Sequence, residues 1–422
     1  MLNRKPTLLV GLLIASLFLG ACGSLLEAAE NAVQDDQYGP QYIPQEHQTR
    51  TFNALWQDIA DNYIHYETAD VDWEAIRKKY QTRIDAGLTN AEFYDLMHEL
   101  EAELPSGTLI FQSRPERLEA DSADFSTYEG IGAIVGFHKE DVPHVVILDV
   151  IDGSPAEQAG LRAHDSIYAI DGSPILVEEG LTVVNRIRGP AGSTVKLQVK
   201  SPGKSERTIE VTRGKLSSAG SLEAYRLKGT DYGYILIPPI TYNGMIDDIV
   251  KQLEALNQPQ ALQGLVLDLR VASSSRGFPM EQLMALFQNG KLGEFYNSAG
   301  QTQPIEVKGQ NLFNSQKLPL VVLVGRNTSG FPEILAASLQ HGQRAQVVGE
   351  ATTGAIETTD SFFLPDGSRV FIEVASFRLS GGVEFGESGV QPDVKMEAGW
   401  DDVLPNADPV IEQAISILDG QQ

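Results

Sequence analysis

Breaking a bond at a carbonyl needs an oxygen or sulfur nucleophile, a proton acceptor within hydrogen-bond reach, and N–H donors aimed at the developing oxyanion. In this 422-residue chain the stretch Leu320 to Thr359 reads as buried strand, turn, helix, second strand, glycine turn. Its side chains are sparse in chemistry. Thr328 and Ser329 read as turn and cap residues before the helix opened at Pro332. Between Asn327 and Leu379 there is no lysine, and the only histidine is His341. That residue falls near the predicted helix end, where a basic side chain has a structural role. Glu350, Glu357 and Asp360 are carboxylates, which rarely deprotonate serine without a relay. No CxxC or HExxH occurs and the 7 histidines are scattered, so neither metal nor cofactor is expected. Gly130-Ile131-Gly132 is not a nucleotide loop, because a strand rather than a helix follows it.

The elements that must position these residues sit in an ordinary globular composition, 42% hydrophobic and 21% charged, with room for two or three domains. The formal charge of −25 excludes a basic nucleic-acid surface and electrostatic attachment to anionic lipid. At the N-terminus, Asn3-Arg4-Lys5 precedes an apolar run from Leu8 to Leu19 that is too short for an ordinary membrane span. It ends in Leu19-Gly20-Ala21-Cys22, which resembles a bacterial lipobox and makes Cys22, the single cysteine, the expected lipidation site. Each buried acyl methylene contributes about 0.8 kcal/mol, so two or three chains anchor stably. The expectation is a membrane-anchored lipoprotein outside the cytoplasm, in the cell envelope or periplasm, with residues 1–21 as signal peptide.

Residues 22–48 read as an acidic and polar linker, with a short helix at Leu25–Val33 possible. Residues 49–120 have helical spacing: Phe52, Leu55, Trp56, Ile59 and Tyr63 form one face, and further helices fit Asp72–Ala86 and Asn90–Glu103. Residues 126–214 read as short strands. Ser154-Pro155 opens a short helix that Gly160 ends, Asp171-Gly172 makes a tight turn, and Val195, Leu197 and Val199 alternate. Residues 220–422 alternate apolar runs with helices, closing on a helix at Pro409–Leu418.

The chain resembles the tail-specific (C-terminal processing) serine proteases. Tyr232–Ile237, the LVLDLR run Leu265–Arg270, and the closing segment through Gly389-Val390-Gln391-Pro392-Asp393 match the protease core. The segment 126–214, with YEGIGAIV and VIDGSPAEQAGL, resembles a circularly permuted PDZ domain. The helical region resembles that of tricorn-like members. The implied fold is α+β and multidomain: a helical region, a PDZ β-barrel-like domain, and an α/β protease-type core with a mixed sheet.

Aligning Glu333-Ile334 on the family's S-A-S-A-S-E-I places Gly330 at the serine nucleophile, Ala355 at the lysine base and Thr359 at the glutamine. Thr108 stands at the histidine of tricorn-like relatives, and Ser274 and Ser275 stand at the paired glycines of the oxyanion turn. In the family a peptide C-terminus adds as a strand at the PDZ loop, here Gly130, Ile131, Gly132, Ala133, Ile134 and Val135, with Ile131 and Ile134 expected in the pocket. His164, where relatives have glycine, reads as a solvated substitution.

Two readings follow. One is a lipid-anchored, non-catalytic relative that binds peptides or protein C-termini. The other is an active serine peptidase using a shifted Ser329. Losing a serine nucleophile lowers turnover by about six orders of magnitude in proteases. Nothing in the sequence sets an oligomeric state.

Overall fold

The computed structural model describes residues 39–122, 127–139, 142–217, 222–274, 277–404 and 407–421. Cys22, the signal peptide and the possible helix at Leu25–Val33 lie outside them. No helix among the described residues is long and apolar enough to cross a membrane. The chain forms two compact units.

The first unit holds the N-terminal helices with residues 297–299 and 358–375. Its first helix, Gln45–Asn62, starts ahead of residue 49, and Phe52, Leu55, Trp56 and Ile59 are buried on one face. Asp72 caps Trp73–Asp85 by accepting from Ala75 N, and Thr89 and Glu92 form a capping box on Asn90–Glu103. The strand Ile110–Gln112 pairs antiparallel with residues 369–371, and the strand Thr358–Phe363 pairs on with residues 369–375. Phe111, Leu364, Val370 and Ile372 complete the helices' apolar core.

The second unit contains the PDZ-like sheet and the α/β core. The PDZ-like sheet orders its strands Ala133–His138, His144–Val150, Ser166–Ile170, Thr194–Lys200 and Arg207–Thr212. Val195, Leu197 and Val199 are buried in alternation with exposed neighbours, as half-buried strands require. Ser154 caps the short helix Pro155–Gln158, its Oγ accepting from Glu157 N at 3.2 Å.

In the core, the strand Glu223–Arg226 pairs antiparallel with Tyr232–Leu236. Parallel pairing then runs through Gly264–Asp268, Leu320–Val324, Gln346–Gly349 and Val394–Lys395. Side-chain alternation loads both faces. Val322 and Val324 pack with Leu283, Ile334 and Leu335, whereas Val321 and Leu323 pack with Val410, Ala414 and Leu418 of the closing helix Pro409–Gly420. Near-continuous apolar strands are what a sheet covered on both faces demands. Asp408 caps that closing helix and accepts from Arg270 Nη2 at 2.7 Å. Arg270 in turn is buried beside Asp268. Burial alone would lower the Arg270 pKa, but Asp268 and Asp408 outweigh it and hold the guanidinium well above its ordinary value.

Candidate functional site

The strand Leu320–Val324 delivers the chain to a tight turn and then the helix Phe331–His341. Thr328 braces the turn from inside. Its hydroxyl accepts from Gly325 N at 3.0 Å and donates to Leu269 O at 2.8 Å. The adjacent segment runs alongside: Ser329 N donates to Ala272 O and Ser274 N donates to Ser329 O, each at 3.2 Å. Gly330 has φ 70° and ψ −129°, a conformation in which an L side chain is strained. Turns that present a nucleophile at the head of a helix use strained backbone of this kind.

Glu333, fully buried, ties this turn to the loop that follows the strand Gln346–Gly349. Its Oε2 accepts from Gly330 N at 2.9 Å and from Thr353 Oγ1 at 3.1 Å. Its Oε1 accepts from Gly354 N at 2.7 Å and from the Thr352 hydroxyl. The clamp brings two of the expected positions together: a Cβ placed on Gly330 would lie 3.6 Å from Ala355 O. Glu333 accepting from the Gly330 amide is the one half of a capping box that a glycine at the cap position allows.

The space above Gly330 is taken. A Cβ there would overlap the Ser274 hydroxyl. Ser274 Oγ accepts from Phe331 N at 2.5 Å, so it engages the amide that follows the nucleophile position, the kind of donor an oxyanion requires. Ser274, at one of the family's glycine positions, is exposed, but its hydroxyl points into the turn. Ser275 lies outside the described residues. Ser329 makes no side-chain hydrogen bond to any base among the described residues. His341 Nε2 lies 3.0 Å from Ser380 O, at the end of its helix, as its structural role requires.

Thr359 and Thr108 belong to the first unit. Thr359 is exposed on its strand, opposite Glu373. Thr108 is fully buried, and its hydroxyl has no partner among the described residues.

The PDZ-like segment is arranged differently. Gly132, at φ 84°, could not carry a Cβ without overlapping Ser154 Cβ. Ile131 O accepts from Ala156 N at 2.7 Å and Gly132 O from Ile151 N at 2.9 Å, which fixes the loop. Ala133, Ile134 and Val135 are half-buried on a strand that, among the described residues, pairs only with His144–Val150, at the sheet's edge. Ile131 corrects the expectation: at 3% exposure it belongs to the domain's apolar core and does not line an open pocket.

This sheet docks on the α/β core. Val146 and Leu148 pack with Val271 and Trp400, and Trp400 Nε1 donates to Ile147 O at 3.0 Å. His164 also departs from expectation. Its ring lies 3.9 Å from that of Trp400, and its Nδ1 is 2.6 Å from Trp400 O. Burial lowers its pKa, the Trp400 carbonyl opposing. Its φ of 73° explains why glycine suits this position. The sequence held no signal for the contact, because Trp400 is remote in the chain.

Comparison with known proteins decides the family. A model of peptidase family S41 matches residues 231–396, the tricorn protease C1 domain matches 44–102, and a PDZ domain matches 146–201. The carboxyl-terminal-processing protease of Picosynechococcus sp. is 32% identical over 350 residues, covering 80% of each chain. The chain belongs to the tail-specific (C-terminal processing) protease family. The chloroplastic C-terminal processing peptidase of Tetradesmus obliquus is 28% identical over 372 residues, covering 84% of this chain and 78% of that one. The solved photosystem II D1 C-terminal processing protease superposes with a TM-score of 0.64 at 26% identity, covering 88% of this chain and 97% of that one. The family's α+β organisation, with helical region, PDZ region and mixed-sheet core, is therefore the fold of this chain.

Proposed function

We propose that this member of the family binds protein C-termini through its PDZ domain and does not cleave them. The observation that carries the reading is Ser274. Its hydroxyl occupies the place of a side chain at Gly330 and engages the Phe331 amide. No lysine or histidine stands at Ala355, and among the described residues Ser329 has no base beside it. Hydrolysis needs a hydroxyl, a base and open N–H donors in one place. Here the backbone that would hold them is kept in place by Glu333 and closed by the chain's own atoms. The edge strand Ala133–His138, by contrast, offers main-chain groups for strand addition, and a single added strand supports affinity on the order of micromolar.

The test incubates the full chain with unstructured proteins and, separately, titrates it with fluorescent peptides bearing a carboxylate or an amide at the C-terminus. No cleavage, with binding weakened at least about tenfold by amidation, is the expected result. Cleavage that disappears in Ser329→Ala would establish the opposite reading. On the same footing, Leu19–Cys22 carries a lipid anchor at the envelope membrane; labelled palmitate incorporated by the wild type should be lost in Cys22→Ser.

A further inference from the structure

Where the PDZ-like sheet meets the α/β core, two histidines from one side converge on one carboxylate from the other. His138 and His144 are cross-strand partners on adjacent antiparallel strands, so their side chains leave the same face of the sheet. Asp401 comes from the 3₁₀ turn Trp400–Asp402, held against the sheet by the Trp400 indole. His144 Nε2 lies 2.9 Å from Asp401 Oδ2, and His138 Nδ1 lies 3.6 Å from Asp401 Oδ1. The three candidate donor atoms fall within 4.8 Å of one another. Both imidazoles are buried.

The orientation of His144 is informative. Its Nδ1 is 2.8 Å from Val142 O. A carbonyl only accepts, so Nδ1 must carry the hydrogen. In the neutral ring, Nε2 then presents a lone pair to a carboxylate oxygen, and only a positive charge between them makes that contact favourable. A carbonyl oriented on the far nitrogen is also how proteins aim an imidazole at a metal. Ser166 Oγ donates to Asp401 Oδ2 at 3.2 Å and steadies the carboxylate in the same manner.

The surroundings are negative. A Cβ placed on Gly399 would lie 3.3 Å from Asp401 Oδ1, 3.5 Å from Asp402 Oδ2 and 3.7 Å from Glu350 Oε2, so three carboxylates crowd one point. Two cations stand near them: Arg326, which is paired with Glu350 at 3.2 Å, and Lys200, which lines the adjoining cavity. A cavity of about 150 Å³, lined by Ser166, Tyr168 and Asp402 among others, reaches Asp401.

We propose that His138, His144 and Asp401 form a zinc-class divalent metal site that fastens the PDZ domain to the protease-like core. Two imidazole nitrogens and a carboxylate suit a borderline ion such as Zn²⁺, and tetrahedral bonds to such ligands separate the donor atoms by about 3.3 Å. The separations, 2.9 Å from His144 Nε2 to Oδ2 and 3.6 Å from His138 Nδ1 to Oδ1, fall on either side of that figure through the two oxygens of one carboxylate. The fourth position falls to water. A site made of side chains from two domains adds its binding free energy to their docking.

The test is zinc uptake by the full chain after chelation, measured by equilibrium dialysis at pH 7.5 and by cobalt substitution. One zinc per chain is expected, with an intense cobalt visible band marking tetrahedral coordination. His144→Gln, His138→Gln and Asp401→Asn should each weaken uptake at least about tenfold, while the remote His341→Gln leaves it unchanged. Wild-type chain that takes up no zinc, or gives no tetrahedral cobalt band, overturns the proposal, and an imidazolium–carboxylate pair then accounts for the cluster. Uptake that survives all three substitutions overturns it equally. The wild-type cobalt spectrum keeps the test decisive even if a variant fails to fold.

Discussion

The turn at Gly330 and the edge strand at Ala133 are both places where a protein of this family can offer main-chain N–H groups to a peptide, and they differ in what already occupies those groups. At the turn, Gly330 N and Gly354 N donate to Glu333 and Phe331 N donates to Ser274. At the strand Ala133–His138, one edge pairs with His144–Val150 and the other takes part in no sheet among the described residues. The lesson is that scaffold and capacity separate. A backbone can survive intact while every donor it would present is satisfied from within, and a neighbouring segment of the same chain can leave its donors for a partner.

The comparison can be broken most forcefully at Glu333. Glu333→Ala leaves several buried donors around one cavity without an acceptor, which should lower stability by about 3–5 kcal/mol in urea denaturation. Glu333→Gln, which keeps one acceptor oxygen, should lose less. If the alanine variant were as stable as wild type, the clamp would not be what preserves the turn.

A smaller effect is expected from Gly330→Ser, roughly 2–3 kcal/mol, because the side chain must accept a left-handed φ and displace the Ser274 hydroxyl. Adding Ser274→Gly should return about 1 kcal/mol of that loss. Additive effects in this double-mutant cycle would mean that the two positions do not compete for one space.

At the other region, Ile134→Asp should weaken C-terminal peptide binding about tenfold, equivalent to roughly 1.4 kcal/mol, with the melting temperature unchanged. Fluorescence anisotropy measures the first and a thermal scan the second.

The smallest effect concerns docking. The pKa of His164 is lowered in the fold from the ordinary 6.5. The unfolded chain therefore binds the proton first, and this contribution to stability is lost as pH falls through that value. His164→Asn, which tolerates positive φ, should lose less stability than wild type between pH 7 and pH 5.5.

Much of the architecture was legible because it is written in local periodicity. The alternation of Val195, Leu197 and Val199 and the face from Phe52 to Ile59 emerge as read. The pairing of positions 330 and 355 was implied by the family resemblance rather than by local spacing. What stayed hidden depends on partners distant in the chain. Nothing local to Ser274 signals that its hydroxyl meets the Phe331 amide, which is remote in the chain. His164 looked solvated until Trp400 covered it. Ile131 looked like a pocket wall, yet an apolar residue beside two glycines reads alike whether it turns toward the groove or the core. The cluster of His138, His144 and Asp401 carried no metal-like spacing, since its third member comes from another domain.

The geometry at Gly330 also bears on how such a chain can change over generations. Glycine relieves the strain that any other residue would feel there, so a replacement by glycine at this position is downhill for folding. The reverse is not: a serine placed at 330 meets the Ser274 oxygen. The turn behaves as a ratchet, easy to enter by single replacements and passable in reverse only when several arrive together.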